Sequence, residues 1–167
     1  MKIILLIGPV CCGKTTYAST LPGTMLLSCD QLMQTMFPGG CGEAHDALAA
    51  RARGYLFTLA RQVAAAGVTP VLDFGFWMPA MRREAAEALT GFELDWRWLN
   101  VPEEEWRRRI AHRNAAILAG TADPAAYYED EGLLQKVQLF VPPTAQELPG
   151  LTTLSPADTT NKEVPHD

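Results

Sequence analysis

The stretch Gly8-Pro9-Val10-Cys11-Cys12-Gly13-Lys14-Thr15 decides the fold of this 167-residue chain. It matches the pattern G-x-x-x-x-G-K-[ST] at every fixed position. Glycines let such a loop curl until its backbone N–H groups face inward around phosphate oxygens, and the helix that follows presents its positive end to the same anion. Residues 2–7, directly before the loop, form an apolar run of strand length. The stretch therefore predicts a phosphate-binding loop between a buried strand and a helix.

This phosphate-binding loop (P-loop, Walker A) also predicts the individual nucleotide contacts. Lys14 is placed to reach the β- and γ-phosphates of ATP, and the Thr15 hydroxyl is placed to bind Mg²⁺. Cys11 and Cys12 occupy variable positions and are interpreted as spacers, with a reactive thiol beside a helix N-terminus as the alternative. The predicted nucleotide-binding residues are Gly8, Pro9, Val10, Cys11, Cys12, Gly13, Lys14, Thr15 and Thr16.

Charge and composition limit the classes of protein that fit the chain. The net charge is -5, so we do not expect the basic face of a protein that binds long duplex nucleic acid. No apolar run reaches the roughly 18 residues that a membrane-spanning helix needs. The four cysteines show neither a disulfide framework nor a zinc spacing. We therefore expect a cytoplasmic protein with reduced thiols and no membrane contact.

Strand and helix patterns alternate along the chain. Such alternation predicts an α/β fold, in which helices cover both faces of a parallel sheet and ligands bind at the carboxyl ends of the strands. Residues 1–154 are predicted to form one domain, and residues 155–167 a polar C-terminal tail. The predicted strands are 2–7, 24–28, 68–73 and 92–98, and the predicted helices are 14–19, 30–37, 43–66, 79–89, 102–120, a short piece from Asp123-Pro124, and 133–141.

Two aspartates follow predicted strands and are expected at the same edge of the sheet as the P-loop. Asp30 is placed to orient an acceptor hydroxyl and take its proton, or alternatively to cap the short helix that follows. Asp73 is placed to hold a magnesium-bound water or to contact the acceptor, and the alternative is a turn residue. The aromatic residues Phe74, Phe76 and Trp77 come next. They predict either a wall of the acceptor-binding site, with Trp77 as a substrate contact, or side chains of the hydrophobic core.

A helix after the fourth strand carries several arginines. Arg109 and Arg113 are four residues apart, so they share one face of that helix. Two guanidinium groups on one face suit a lid that clamps the charge of a transferring phosphate. The alternative is a solvated basic face paired with the acidic run 103–105. In a chain with a P-loop we favour the lid.

With these residues in place, the chain resembles the small P-loop kinases that include phage-type polynucleotide kinase, chloramphenicol phosphotransferase and the zeta toxins. The resemblance runs from Met1 to about Leu148. It includes Ser28-Cys29-Asp30, which is similar to the family's Ser-x-Asp motif. Further matches are Asp73, the lid residues Arg109, Arg113 and Asn114, and the proline motif Phe140-Val141-Pro142-Pro143-Thr144.

The resemblance implies a three-layer P-loop sandwich with a five-stranded parallel sheet of the nucleoside-kinase type and an arginine-bearing lid helix. It implies that ATP and Mg²⁺ are the cofactors, that Asp30 is the general base, and that Asp73 lies near the acceptor. The leading hypothesis is a phosphotransferase that moves the γ-phosphate of ATP to a hydroxyl of a small molecule, with Lys14, Asp30, Arg109 and Arg113 as catalytic residues. The alternatives are a 5′-hydroxyl polynucleotide kinase and a nucleotide-binding module without transfer activity.

Overall fold

Five parallel strands form the centre of the fold in the computed structural model, which describes residues 1–121 and 138–159. The strands lie in the order β2-β3-β1-β4-β5, and every pairing is parallel. This arrangement confirms the predicted α/β fold with a five-stranded sheet. The strands are β1 (Lys2–Ile7), β2 (Thr24–Ser28), β3 (Thr69–Gly75), β4 (Glu93–Leu99) and β5 (Thr152–Leu154).

Helices connect the strands and cover both faces of the sheet. Leu56 and Phe57 of α3 and Ala85 of α4 pack in one core cluster on one face, while Tyr17 and Ala18 of α1 pack in a second cluster on the other. Each strand of the sheet centre is therefore buried on both sides, which explains the continuous apolar sequence of β1. The helices are α1 (Lys14–Ser19), α2 (Cys29–Met36), α3 (His45–Ala65), α4 (Pro79–Ala88) and α5 (Glu103–Leu118), and 3₁₀ turns span Gly42–Ala44 and Pro156–Thr159.

The register of β1, β2 and β3 brings three chain segments to one edge of the sheet. Ser28 pairs with Asp73, and Ile7 pairs with Gly75. Beyond this last pair, the Gly8 N–H donates to the Gly75 carbonyl at 3.0 Å. The P-loop, the start of α2 and the end of β3 therefore meet where the parallel strands end, as predicted.

Two features of the sheet differ from the sequence predictions. β3 runs to Gly75, so Asp73 lies inside the strand and not at its end. The fifth strand was implied by the resemblance but had no predicted position, because β5 has only 3 residues and shows little apolar pattern. The helix predicted from Asp123-Pro124, most of the helix 133–141 and the end of the tail lie outside the described residues.

None of the helices within residues 1–121 and 138–159 is long and apolar enough to cross a bilayer. All four cysteines are free thiols. The two isolated histidines of the described chain, His45 and His112, are exposed, and these residues contain no cluster of metal-ligating side chains.

Candidate functional site

The P-loop connects β1 to α1 and folds back closely on itself. Gly8 has a φ of 155°, and a Cβ atom at this position would lie 2.6 Å from the Cys12 Sγ. No side chain fits at that distance without displacing the loop, so the first glycine of the motif is required here. Beneath it, Cys12 is fully buried, and burial raises the pKa of its thiol despite the nearby Lys14 ammonium.

Lys14, the first residue of α1, turns its ammonium group back into the loop. Its Nζ donates to the carbonyl oxygens of Gly8 at 3.1 Å and Pro9 at 2.8 Å, and it lies 3.9 Å from the Asp73 Oδ1. Burial lowers the pKa of Lys14, but the neighbouring Cys12 and the carboxylates outweigh it and raise that pKa. The ammonium therefore stays charged at neutral pH, as a phosphate ligand must.

Thr15 and Asp73 form the part of the site that suits a metal ion. The Thr15 hydroxyl donates to the Asp73 Oδ2 at 3.0 Å. Burial raises the pKa of Asp73, while Lys14 and the Thr15 hydrogen bond lower it in part. A hydroxyl and a carboxylate are hard oxygen ligands of the kind that Mg²⁺ prefers, so the donor set fits the predicted ion. Thr16, the next residue of α1, is exposed.

Asp30 lies in the first turn of α2 and is exposed. The helix cap is Ser28, whose Oγ accepts a hydrogen bond from the Gln31 N–H at 3.2 Å, so the alternative that Asp30 caps the helix is wrong. Besides burial, the charge of Asp30 raises the pKa of Asp73, and it contributes to raising that of Lys14. The Asp30 carboxylate therefore lies within electrostatic range of the P-loop lysine.

Helix α5 packs over the P-loop through Trp106 and Ile110, which contact Val10 and Cys11. From the same helix, Arg109 Nη1 donates to the Cys12 carbonyl at 2.8 Å, and Arg113 Nη1 lies 3.0 Å from the Cys11 Sγ. Both predicted lid arginines thus face the loop.

The alternative, a solvated basic face on α5, holds for the two other arginines of this helix. Arg107 pairs with Glu103, and Arg108 pairs with Glu105, both near the surface. Arg109 combines the two arrangements, because its Nε also donates to Glu105 Oε1 at 2.7 Å. The helix therefore separates a loop-facing side from a solvent-facing side.

The aromatic residues after Asp73 divide between core and loop. Phe74 and Phe76 are buried, and their rings lie 5.4 Å apart, so they belong to the core. Trp77 is half-buried and packs on Gly75, where a Cβ atom would lie 2.3 Å from the Trp77 Nε1. Since Gly75 also bonds to Gly8, Trp77 lies beside the P-loop, where it was predicted to contact the acceptor.

A buried arginine that is not among the predicted site residues fixes the turn after β3. Arg82 of α4 is 1% exposed and donates to the carbonyls of Phe76 at 2.9 Å and Val141 at 3.0 Å. Its Nε and Nη2 bind the two carboxylate oxygens of Glu147 at 2.7 and 2.9 Å. The Arg82–Glu147 pair therefore joins the turn after β3, where Phe76 has a φ of 45°, to the proline motif. The sequence offers one signal that Arg82 is buried. It lies three residues before the apolar Ala85, which is buried, and so shares its face of α4.

An apolar cavity of about 170 Å³ opens beside the P-loop, between the end of β4 and the start of α5. Trp77 is not among the described residues that line it. Its walls are mostly apolar, with one amide and one carboxylate, and consist of Pro9, Trp98, Leu99, Asn100, Val101, Glu103, Trp106, Phe140 and Pro142.

Comparison with protein families gives the identity of the fold. Residues 3–126 match the model of the AAA domain family AAA_33, so the chain belongs to this family. No curated protein sequence matches the chain significantly. The narrower resemblance to polynucleotide kinases, chloramphenicol phosphotransferases and zeta toxins is not confirmed by these comparisons and stays a prediction.

Solved structures of two kinases and of Kti12 share the fold. A gluconokinase from Sinorhizobium meliloti matches with a TM-score of 0.62 at 14% identity, over 93% of this chain and 83% of that one. The APS kinase of Mycobacterium tuberculosis, in complex with AMPPNP and APS, matches with a TM-score of 0.61 at 17% identity, over 93% and 88%. Chaetomium thermophilum Kti12, in complex with ADP-AlF3, matches with a TM-score of 0.69 at 18% identity, over 94% and 93%.

Proposed function

We propose that the chain is an ATP-dependent phosphotransferase that moves the γ-phosphate of ATP to a hydroxyl group of a small molecule. The observation that carries the proposal is the position of Asp30, an exposed carboxylate in the first turn of α2, two residues after Ser28, which pairs with Asp73. A carboxylate there, free of any capping role, is available to an acceptor hydroxyl beside the P-loop. The similarity to a gluconokinase and an APS kinase supports a small-molecule acceptor.

The nucleotide side of the site follows from the P-loop. When ATP binds, Lys14 exchanges its hydrogen bonds to the Gly8 and Pro9 carbonyls for bonds to β- and γ-phosphate oxygens. Thr15 and Asp73 would hold a Mg²⁺ ion, which supplies positive charge to the same oxygens when it is bound. These contacts position the γ-phosphate toward the edge of the sheet where Asp30 lies.

The acceptor side follows from Asp30 and α5. Asp30 accepts the proton of the acceptor hydroxyl as its oxygen bonds to the γ-phosphorus, and the bond from that phosphorus to the β,γ-bridging oxygen breaks to release ADP. Arg109 and Arg113, which already contact the loop at Cys12 and Cys11, add positive charge around the transferring group.

The test compares Asp30→Asn with Asp46→Asn, which makes the same chemical change at an exposed first-turn acid of α3. Transfer of ³²P from [γ-³²P]ATP is measured with a panel of hydroxyl acceptors that includes polyols, sugar acids, nucleosides and 5′-hydroxyl oligonucleotides. We expect Asp30→Asn to lose about 10²-fold or more in transfer rate while ATP affinity, measured by calorimetry, stays unchanged. Equal transfer by Asp30→Asn and wild type would overturn the role of Asp30 as base.

A second candidate is a nucleotide-binding protein without an acceptor, since the similar Kti12 structure is described only as a complex with ADP-AlF3. In that case the panel yields only inorganic phosphate or no label transfer, and Asp30→Asn behaves as wild type. Labelling of oligonucleotides alone, lost steeply with added salt, would instead indicate a 5′-hydroxyl polynucleotide kinase.

A further inference from the structure

An arginine near the proposed acceptor side has a buried nitrogen that makes no hydrogen bond within the described part of the chain. Arg53 of α3 has a side chain that is 20% exposed, and its Nε is buried without a hydrogen-bond partner among the described residues. The nearest carboxylate oxygen, Glu84 Oε2, is 3.7 Å from that Nε, which is too far for a hydrogen bond. Burial of a charged donor without a hydrogen bond is unfavourable, so this Nε–H suits a partner that residues 1–121 and 138–159 do not supply. The contrast is Arg82, whose three nitrogens all bond to protein oxygens.

Helix geometry places Arg53 next to the start of α2. The Cys29 Sγ lies 3.8 Å from the carbonyl oxygen of Ala49, which is one turn before Arg53 on the same face of α3. Burial raises the pKa of the Cys29 thiol to about 11, and the charge of Asp30 adds to this rise, whereas the charge of Arg53 lowers it. The Asp30 carboxylate and the Arg53 guanidinium therefore both lie near the Cys29 sulfur, at the start of α2.

Arg53 supplies positive charge beside the carboxylates of Asp30 and Glu84, while Lys14 is engaged in the P-loop. An anion that binds here must therefore be held at short range by the guanidinium, against the charge of these carboxylates. A guanidinium presents a planar set of donors that matches the oxygens of a carboxylate, phosphate or sulfate. Arg53 is thus suited to an oxyanion in a way that a lysine is not.

We propose that Arg53 binds an oxyanion group of the acceptor, so that the acceptor is an anionic alcohol whose hydroxyl faces Asp30. That this ligand is an acceptor rests on the proposed function, whereas the oxyanion site itself rests on the Arg53 Nε that lacks a hydrogen bond. Glu84 competes with that oxyanion for the same guanidinium. Arg53 is therefore expected to bind the oxyanion, and Glu84 is expected to weaken that binding.

The first experiment detects the oxyanion site without an acceptor. The P-loop is filled with Mg²⁺ and AMPPNP, and sodium sulfate or sodium acetate is titrated while the arginine Nε–H signals are followed by NMR. We expect a saturable shift of the Arg53 signal, identified by its loss in Arg53→Lys. The shift should remain in Arg51→Lys, the same change at an exposed arginine of the same helix. In Glu84→Gln the anion should bind more tightly, because the competing carboxylate is gone.

Each outcome of this titration decides the proposal. Absence of a saturable Arg53 shift in the wild type overturns it, and so does weaker binding in Glu84→Gln, which would make the ion pair a purely structural contact. Stronger binding of sulfate than acetate indicates a phosphorylated or sulfated acceptor, and the reverse order indicates a hydroxy acid.

The second experiment uses acceptors found by the label-transfer panel. We expect Arg53→Lys to raise the KM of an anionic acceptor about tenfold, or 1.4 kcal/mol, with the KM of ATP unchanged. The KM of a neutral acceptor of the same skeleton should not change. If Asp30→Asn stops transfer but Arg53→Lys leaves every KM unaltered, the phosphotransferase stands and the oxyanion site is wrong. If sulfate binds at Arg53 but Asp30→Asn transfers normally, the oxyanion site stands and the proposed role of Asp30 is wrong.

Discussion

The Thr15 hydroxyl donates a hydrogen bond to the Asp73 carboxylate at 3.0 Å and so joins the start of α1 to β3. The two residues are far apart in sequence, and the parallel pairing of β1 with β3 brings them together. Asp73 is almost completely buried, so packing and the Thr15 hydrogen bond hold its carboxylate in place without a ligand. The pair is therefore a preformed set of oxygen ligands at the end of the P-loop.

Replacement of Asp73 by asparagine should weaken the use of Mg²⁺ more than the binding of the nucleotide. The amide keeps the size of the side chain and accepts the Thr15 hydrogen bond, but it lacks the charge that attracts a divalent ion. We expect the Mg²⁺ concentration that gives half-maximal ATP turnover to rise about tenfold, equivalent to 1.4 kcal/mol. A Mg²⁺ titration of turnover at saturating ATP measures this change. Glu93→Gln, at an exposed position of β4, is the matched control, and an equal rise in both variants would contradict the prediction.

Substitution of Gly8 by alanine should disrupt the P-loop by a specific contact. The new Cβ would lie 2.6 Å from the Cys12 Sγ and 3.3 Å from the Leu99 carbonyl oxygen. We expect Gly8→Ala to lose measurable ATP binding by calorimetry and to lower the melting temperature. Because the shortest clash is with the sulfur, the double variant Gly8→Ala/Cys12→Ala should recover part of the melting temperature. If Cys12→Ala gives no recovery, the strain arises from the backbone of Gly8 and not from the sulfur.

Most elements of the fold could be predicted from the sequence because their apolar periodicity is local. β1 and α1 have the predicted bounds, and the register of the sheet brings Asp30 and Asp73 to the edge that their positions after strands indicated. Sequence reasoning did not find β5 or the pairing of Arg82 with Glu147, because a three-residue strand has too few side chains for a pattern and the partners of a buried arginine come from distant segments.

The same limit applies to the candidate site. The P-loop could be found because its geometry requires a contiguous set of residue types. Arg53 gave no signal, since its missing hydrogen bond becomes visible only when α2, α3 and α4 are packed together. Nor could the sequence decide between the two interpretations of Asp30, because capping depends on whether Ser28 or Asp30 reaches the free N–H groups of α2.

Stability at acid pH should depend on Glu105. Hydrogen bonds from Arg108 and then Arg109 lower the pKa of Glu105 from 4.5 to about 2. Since the folded state holds the carboxylate charged, its contribution to stability is complete above pH 4.5 and disappears as the pH falls toward 2. We expect Glu105→Gln to lower the urea midpoint at neutral pH and to match the wild type at the acid end of this range. Glu104→Gln, at an exposed neighbouring acid, should show no such convergence.

The buried Arg82–Glu147 pair should behave as a unit in a double-mutant cycle. Glu147→Leu leaves a fully buried guanidinium without its bidentate partner, and breaking a buried ion pair costs roughly 3–5 kcal/mol. Arg82→Met removes the charge but also two hydrogen bonds, to the carbonyls of Phe76 and Val141. Because the double variant leaves no unpaired charge, we expect it to be more stable than Glu147→Leu alone when unfolding is followed in urea.

The position of this pair adds a functional consequence to the effect on stability. Arg82 fixes the turn of Phe76 and Trp77, which packs beside the P-loop, while Lys14 and Thr15 are held by contacts that do not include Arg82. We therefore expect Arg82→Met, at a temperature where it is folded, to raise the acceptor KM while the affinity for ATP stays close to that of the wild type. Arg83→Met, at the exposed neighbouring position on α4, is the matched control and should change neither quantity. Equal losses of ATP affinity and acceptor affinity in Arg82→Met would show that the pair supports the whole sheet edge and not the acceptor side in particular.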